Sequence, residues 1–162
     1  MTEPRADRPH VPGYGIPDST DGLLPWSWAD ERLGRAKVYW LATAGADAAP
    51  HLIPIWGSWM DGRWFVEGGP TRWQRNLREN AQMAIHIEFG EEVVIVEGRA
   101  REHVQPADDL SQRILAGYAK YRPEYEASAE HWTEGGLWEL IPVKAFAWSS
   151  FPSDMTRYTF AG

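Results

Sequence analysis

The fold is decided by one stretch of the 162-residue chain, which reads Gly68-Gly69-Pro70-Thr71-Arg72-Trp73-Gln74-Arg75-Asn76-Leu77. The Gly-Gly-Pro lead lets the backbone turn tightly, and Thr71 then holds the position from which a helix begins. Arg72 and Arg75 project guanidinium groups beside the free N–H donors of the first turn, where anions bind. The stretch predicts a helix to about Asn80 whose start can hold a phosphate. These residues also leave open the alternative that Thr71 only caps the helix and both arginines are solvated.

An alternating segment, residues 50–59, precedes this stretch. His51, Ile53 and Ile55 fall on one face, and the residues between them fall on the other, so we predict one strand. Pro54 cannot donate to a ladder, which predicts an edge strand whose open backbone can hydrogen-bond a heterocycle. An ordinary edge-strand proline is the alternative. Asp61-Gly62 then predicts a hairpin turn into a strand at residues 64–67.

The remaining pattern predicts strands at residues 37–43, 83–87, 93–103 and 137–148, a helix from Pro106, and a short last strand at residues 157–160. Six or seven strands with two or three inserted helices indicate an α+β barrel. Residues 1–25 are rich in proline and glycine and predict an extended N-terminal arm. Residues 26–162 then form one domain.

Composition excludes several classes of function. The formal net charge of −7 comes from scattered carboxylates, which argues against a partner that is nucleic acid or an anionic membrane. The chain has no cysteine, and its five histidines lack metal-ligand spacing, so we predict no metal site. No apolar run approaches a membrane span or a signal peptide. We therefore expect a soluble cytoplasmic protein.

Three segments together resemble one known family. They are residues 49–56, residues 70–80, and, after a further hydrophobic strand, residues 93–100 with the sequence Val-Val-Ile-Val-Glu-Gly-Arg-Ala. In order and spacing they are similar to the pyridoxamine 5′-phosphate oxidase-like family, especially its small actinobacterial members. The resemblance covers residues 25 to 150, which is most of the chain.

The resemblance implies a six-stranded antiparallel split β-barrel with inserted helices. It also implies a homodimer that holds FMN or the deazaflavin coenzyme F420 at the subunit interface. The residues it assigns to cofactor binding are Ile53, Pro54, Ile55 and Trp56 along the flavin ring, with Thr71 and Arg72 at the phosphate and Arg75 in support. The expected function is that of a flavoprotein oxidoreductase that transfers hydride between the cofactor and a small organic substrate. The alternative is a non-catalytic cofactor-binding or storage protein, or a haem-binding member with His51 or His86 as axial ligand.

Two residues depart from the family pattern. Trp73 stands where family members commonly have a lysine, so one phosphate cation is missing. Glu67 replaces the usual hydroxyl on the preceding strand, and its carboxylate would repel a phosphate if it pointed inward. No side chain is predicted to be catalytic, because the cofactor would supply the chemistry.

Overall fold

The computed structural model describes residues 3–161, which form nine strands and three α-helices. The strands are β1 (Arg5–Asp7), β2 (Tyr39–Ala44), β3 (Pro50–Ile55), β4 (Ser58–Met60), β5 (Arg63–Glu67), β6 (Gln82–Phe89), β7 (Glu92–His103), β8 (Leu137–Trp148) and β9 (Thr156–Thr159). The helices are α1 (Trp26–Arg35), α2 (Arg72–Glu79) and α3 (Asp108–Tyr118), and two 3₁₀ turns follow α3 at Ala119–Tyr121 and Ala129–Trp132.

All the strand pairs are antiparallel, in the order β1-β9-β8-β7-β6-β2-β3, and the β4–β5 hairpin joins this sheet through β5 and β8. Alternate residues of the central strands point inward, where α1 and α2 cover them. A second apolar cluster joins α3 and the segment after it to Phe65 and Leu137. The predicted α+β split barrel with inserted helices is therefore confirmed.

The structure has nine strands where the pattern predicted six or seven and the resemblance six, and one cause is a break in the strand predicted at residues 50–59. The break falls at Gly57, where an added Cβ would lie 2.5 Å from Cε2 of Trp64. The Tyr121 hydroxyl donates to the Gly57 carbonyl at 2.8 Å and accepts from its N–H at 3.0 Å. The Tyr121 hydroxyl thus makes the two hydrogen bonds that a neighbouring strand would otherwise make with Gly57. The pairing of β1 with β9 also adds a strand that was not predicted.

The hairpin predicted at Asp61-Gly62 is confirmed. Both residues have positive φ, 51° and 65°, as a two-residue turn of this type requires, and they join β4 to β5. The turn places Trp64 opposite Trp59. The strand β5 then leads directly into the Gly68-Gly69-Pro70 lead of α2.

Residues 5–8 lie against this chain's own sheet. Asp7 of β1 accepts two hydrogen bonds from the Arg157 guanidinium, at 2.7 and 3.0 Å. Arg8 donates to the Met155 carbonyl at 2.9 Å. Strand β1 and the residue after it are therefore tied to β9 and to the turn that precedes β9.

Residues 3–161 contain neither a candidate membrane-spanning helix nor a candidate metal site. No helix there combines the length and the apolar character that a membrane span requires. No group of three His, Asp or Glu side chains there is placed to hold a metal ion.

Candidate cofactor site

The start of α2 has the features of an anion site. Thr71 is at the N-cap position, as predicted, with extended backbone (φ −105°, ψ 173°), and its hydroxyl makes no capping hydrogen bond. The first turn contains no acidic residue. Arg72 and Arg75 are exposed, and within residues 3–161 neither guanidinium pairs with a carboxylate. One hydroxyl, the first N–H groups and two guanidinium groups at this helix start are thus left without a carboxylate partner among the described residues, as an anion site requires.

Buried polar side chains fix this helix and its lead. Nε2 of Gln74, which is only 2% exposed, donates to the Gly68 carbonyl at 2.6 Å. The Gly68 N–H donates to the Gly136 carbonyl at 3.2 Å, and Asn76 donates to the Thr43 hydroxyl of β2 at 3.0 Å. Sequence reasoning missed Gln74 and Asn76, because nothing in a single sequence marks a polar helix residue as buried.

Trp73 is a core residue. It is 2% exposed, and its ring meets that of Trp138 edge-on, with centroids 6.4 Å apart. At the position where the family pattern has a lysine for the phosphate, this chain therefore has an indole that packs in the core. The charge at the helix start comes from Arg72 and Arg75 alone.

The predicted ring-binding residues of β3 divide between two faces. Within residues 3–161 the strand pairs only with β2, so Pro54 lies on an edge strand as predicted, and its contact with a ring stays a prediction. Ile53 and Ile55 are half-buried against the core, whereas Pro54 and Trp56 are exposed. The Trp56 indole lies parallel to the Tyr121 ring, with centroids 4.8 Å apart.

The strand β3 and the lead of α2 meet at one cavity. Its volume is about 430 Å³, and the residues that line it are Pro54, Ile55, Trp56, Glu67, Gly68, Tyr118 and Tyr125. Of the seven residues predicted to bind cofactor, Pro54, Ile55 and Trp56 line this cavity. The other four do not line it. Ile53 packs against the core, and Thr71, Arg72 and Arg75 lie at the start of α2, after the Gly68-Gly69-Pro70 lead.

The Glu67 carboxylate is held by the segment after α3. Its side chain is 7% exposed, and it accepts hydrogen bonds from the Tyr125 hydroxyl at 2.6 Å and from Nε1 of Trp132. Nδ1 of His131 lies 3.9 Å from the same carboxylate. Sequence reasoning missed Tyr125 and Trp132, because they lie about 60 residues away in a segment with little periodicity.

Two tyrosines beside Glu67, and Tyr121 packed against one of them, are held in the neutral form. Burial, followed by the charge of Glu67, raises the pKa of Tyr118 well above its ordinary value of 10.0. Burial, followed by the hydrogen bond to Glu67, also raises the pKa of Tyr125. Burial raises the pKa of Tyr121 to about 12. At neutral pH these phenols therefore keep their protons and can donate hydrogen bonds.

The raised pKa values predict a loss of stability in alkali. Tyr118, Tyr121 and Tyr125 keep protons that the unfolded chain loses above pH 10, so the free energy of unfolding falls as pH rises through the folded-state pKa values. Burial lowers the pKa of Lys120 from 10.5 to about 8, which acts in the opposite sense between those two values. Urea unfolding should therefore be compared at about pH 10.5 and pH 11.5. Equal free energies at the two pH values would contradict the prediction.

The two histidines considered as haem ligands lie on opposite faces of the sheet. His51 pairs with Thr43, whose side chain is buried on the inner face. His86 pairs with Trp40 on the outer face, where the two rings are parallel with centroids 6.2 Å apart. One ligand therefore cannot contact both imidazoles from a single face.

Solved structures share this fold. A conserved hypothetical protein from Mycobacterium tuberculosis has a TM-score of 0.65 and 19% identity, covering 81% of this chain and 88% of that one. An FAD-binding protein from Mesorhizobium loti has a TM-score of 0.62 and 16% identity, covering 85% and 96%. The haem storage protein HutZ from Vibrio cholerae has a TM-score of 0.56 and 19% identity, covering 72% and 88%. A comparison with curated proteins gives no match.

At these identities the structural likenesses show the fold alone. The match to a family model shows the family as well. The family model described as pyridoxamine 5′-phosphate oxidase matches residues 29–148, a range that runs from α1 through β8. It includes β3, the lead of α2 and the cavity between them. The resemblance noted from the sequence is thereby confirmed, and the chain belongs to the pyridoxamine 5′-phosphate oxidase family.

Proposed function

We propose that this protein is a cytoplasmic flavoprotein oxidoreductase that binds FMN or coenzyme F420 and transfers hydride between the cofactor and a small organic substrate. The observation that carries the proposal is the open start of α2, where the Thr71 hydroxyl and two unpaired arginines face no carboxylate in the first turn. Further support comes from the family match and from the FAD-binding protein among the solved neighbours.

The residues present fit a flavin phosphate. Thr71 would donate its hydroxyl and Arg72 its guanidinium to the phosphate oxygens, and Arg75 would add charge one turn later. Pro54, Ile55 and Trp56 would lie along the ring system, where the edge strand leaves backbone groups unpaired. Tyr118 and Tyr125 line the same cavity, and the Tyr125 hydroxyl, which donates its proton to Glu67, can still accept a hydrogen bond from a polar group.

When bound, a flavin or deazaflavin supplies the hydride chemistry. The chain's own part is to hold and orient the ring and to restrict water. The stacked Trp56 and Tyr121 rings form a rigid aromatic wall beside the cavity, because Tyr121 is also bonded to Gly57. Such a wall limits the poses that a planar ligand can take.

Reconstitution tests the proposal directly. The purified protein is incubated with FMN, F420 or haem, passed through a desalting column, and its absorption spectrum is recorded. We expect a flavin or deazaflavin spectrum to co-elute with the protein. A haem spectrum alone would favour the haem-binding or storage alternative, which the likeness to HutZ makes relevant. No co-elution of FMN or F420 would contradict the proposal.

We further propose that the protein is a homodimer that pairs through the outer face of its sheet. The outer-face residues Pro54, Trp40, His86, Ile95 and Phe146 are successive cross-strand partners on five neighbouring strands. Leu52, next along the edge strand, is 54% exposed. A row of mainly apolar and aromatic side chains across a sheet face, with His86 as its one polar member, is typical of an interface rather than a solvated surface.

Placing a charge on that face should dissociate the dimer. Leu52→Asp is expected to weaken self-association by roughly a hundredfold or more, because a desolvated carboxylate with no partner costs several kcal/mol. Because Leu52 is already half exposed, the subunit itself should still fold. Sedimentation velocity over a concentration series measures the change. Val104→Asp is the control, since Val104 is 61% exposed beyond the end of β7. A monomeric wild-type protein would contradict the proposal.

A further inference from the structure

Two buried glutamates of this chain have contrasting partners. Glu139 on β8, with its side chain 4% exposed, accepts hydrogen bonds from the Arg101 guanidinium at 2.5 and 2.8 Å. Nε of Arg63 lies 3.3 Å from it, and Nε2 of His103 lies 2.8 Å from it. Its negative charge is therefore compensated by neighbouring arginines.

Glu67 is almost as buried, at 7% exposure, but its donors are a phenol and an indole. The imidazole of His131 lies 3.9 Å away and is itself 54% exposed. Buried carboxylates are normally paired with a cation, because the loss of hydration otherwise disfavours the charged form. Two neutral hydrogen bonds use about half of the acceptor capacity of a carboxylate. The Glu67 carboxylate therefore keeps acceptor positions free for a cationic partner.

The carboxylate borders a second cavity, whose lining contains no residue of β3. Its volume is about 320 Å³, and it is lined by Glu67, Gly68, Gly69, Tyr125, His131, Trp132 and Gly136. The cavity beside β3 shares Glu67, Gly68 and Tyr125 with it. The two residues joined by the hydrogen bond from Tyr125 to Glu67 thus line both cavities. Aromatic side chains and one carboxylate are the surroundings that favour an organic cation.

We propose that this second cavity is a binding site for an organic ammonium group, with the Glu67 carboxylate as its counter-ion and Tyr125 and Trp132 as aromatic walls. The lining of this cavity includes none of Thr71, Arg72 and Arg75: it comes from the end of β5, the two glycines that follow, and the segment between α3 and β8. Binding of an ammonium group here can therefore be tested on the protein without flavin, separately from the phosphate site at Thr71 and Arg72.

The test uses three aromatic probes and the full-length protein without added cofactor. The probes are benzyltrimethylammonium, which is cationic at every pH, neutral benzyl alcohol and anionic benzoate, each titrated by calorimetry. We expect benzyltrimethylammonium to bind roughly tenfold or more tightly than benzyl alcohol, and benzoate to bind least. Equal affinities for the three probes would overturn the proposal.

Variants assign the preference to Glu67. Glu67→Gln keeps the size of the side chain and should bring benzyltrimethylammonium to the affinity of benzyl alcohol. Glu130→Gln, which removes the same charge from an exposed side chain in the same segment, should leave the wild-type preference. An unchanged preference in Glu67→Gln would overturn the proposal.

A second variant is needed in case Glu67→Gln loses affinity for every probe. Tyr125→Phe keeps the carboxylate and removes one of its hydrogen bonds, so benzyltrimethylammonium should bind at least as tightly as to wild type. Near-ultraviolet circular dichroism confirms that this variant is folded. Loss of ammonium binding in folded Tyr125→Phe would refute the assignment.

Discussion

Replacing Arg72 by alanine is expected to weaken the binding of FMN and of F420 by roughly 10- to 150-fold, since a hydrogen bond to a charged phosphate is worth about 1.5–3 kcal/mol. The effect should be at the upper end of this range because Trp73 supplies no compensating charge. Titration of each cofactor, followed by quenching of its fluorescence, measures the dissociation constant.

The control for this prediction is Arg35→Ala, which removes the same charge from an exposed residue at the end of α1. It should leave both dissociation constants within about twofold of wild type, since exposed charges are screened by salt. Arg75→Ala should have an intermediate effect. If the Arg72 variant binds both cofactors as wild type does, the start of α2 does not hold the phosphate.

Replacing Gly57 by alanine is expected to lower the free energy of unfolding by about 3 kcal/mol, the upper part of the usual range for overpacking a core. The new Cβ would lie 2.5 Å from Cε2 and 2.7 Å from Cζ2 of Trp64, whose side chain is fully buried. If the Gly57 backbone moves to relieve this contact, it disturbs Tyr121, whose hydroxyl is bonded to both backbone groups of Gly57. Urea unfolding followed by tryptophan fluorescence measures the loss.

Gly34→Ala is the matched control for this glycine. It lies in the exposed part of α1, where an added Cβ meets nothing within 4 Å. Alanine there should stabilise the protein by about 0.8–1 kcal/mol through its higher helix propensity. If both glycine variants change stability in the same direction and by similar amounts, packing against Trp64 is not what requires Gly57.

Local patterns predicted most elements of the fold. The alternation from His51 to Trp56, the Asp61-Gly62 turn and the helix after Thr71 all depend on residues close in sequence, and each is found where it was predicted. Strand β1 could not be predicted, because its three residues gain their structure only by pairing with β9. The end of β3 was missed for a similar reason, since the partner of Gly57 is Tyr121.

The candidate site divides in the same way. The sequence by itself determined the phosphate-binding candidates, because Thr71, Arg72 and Arg75 belong to one helix start and their spacing alone brings them together. It also marked Glu67 as a departure from the family pattern without determining what surrounds it. Only the tertiary structure decided that Tyr125 and Trp132 enclose this carboxylate, since contacts between residues about 60 positions apart depend on how α3 and the segment after it pack against β5. Packing at that range leaves no local pattern in the sequence.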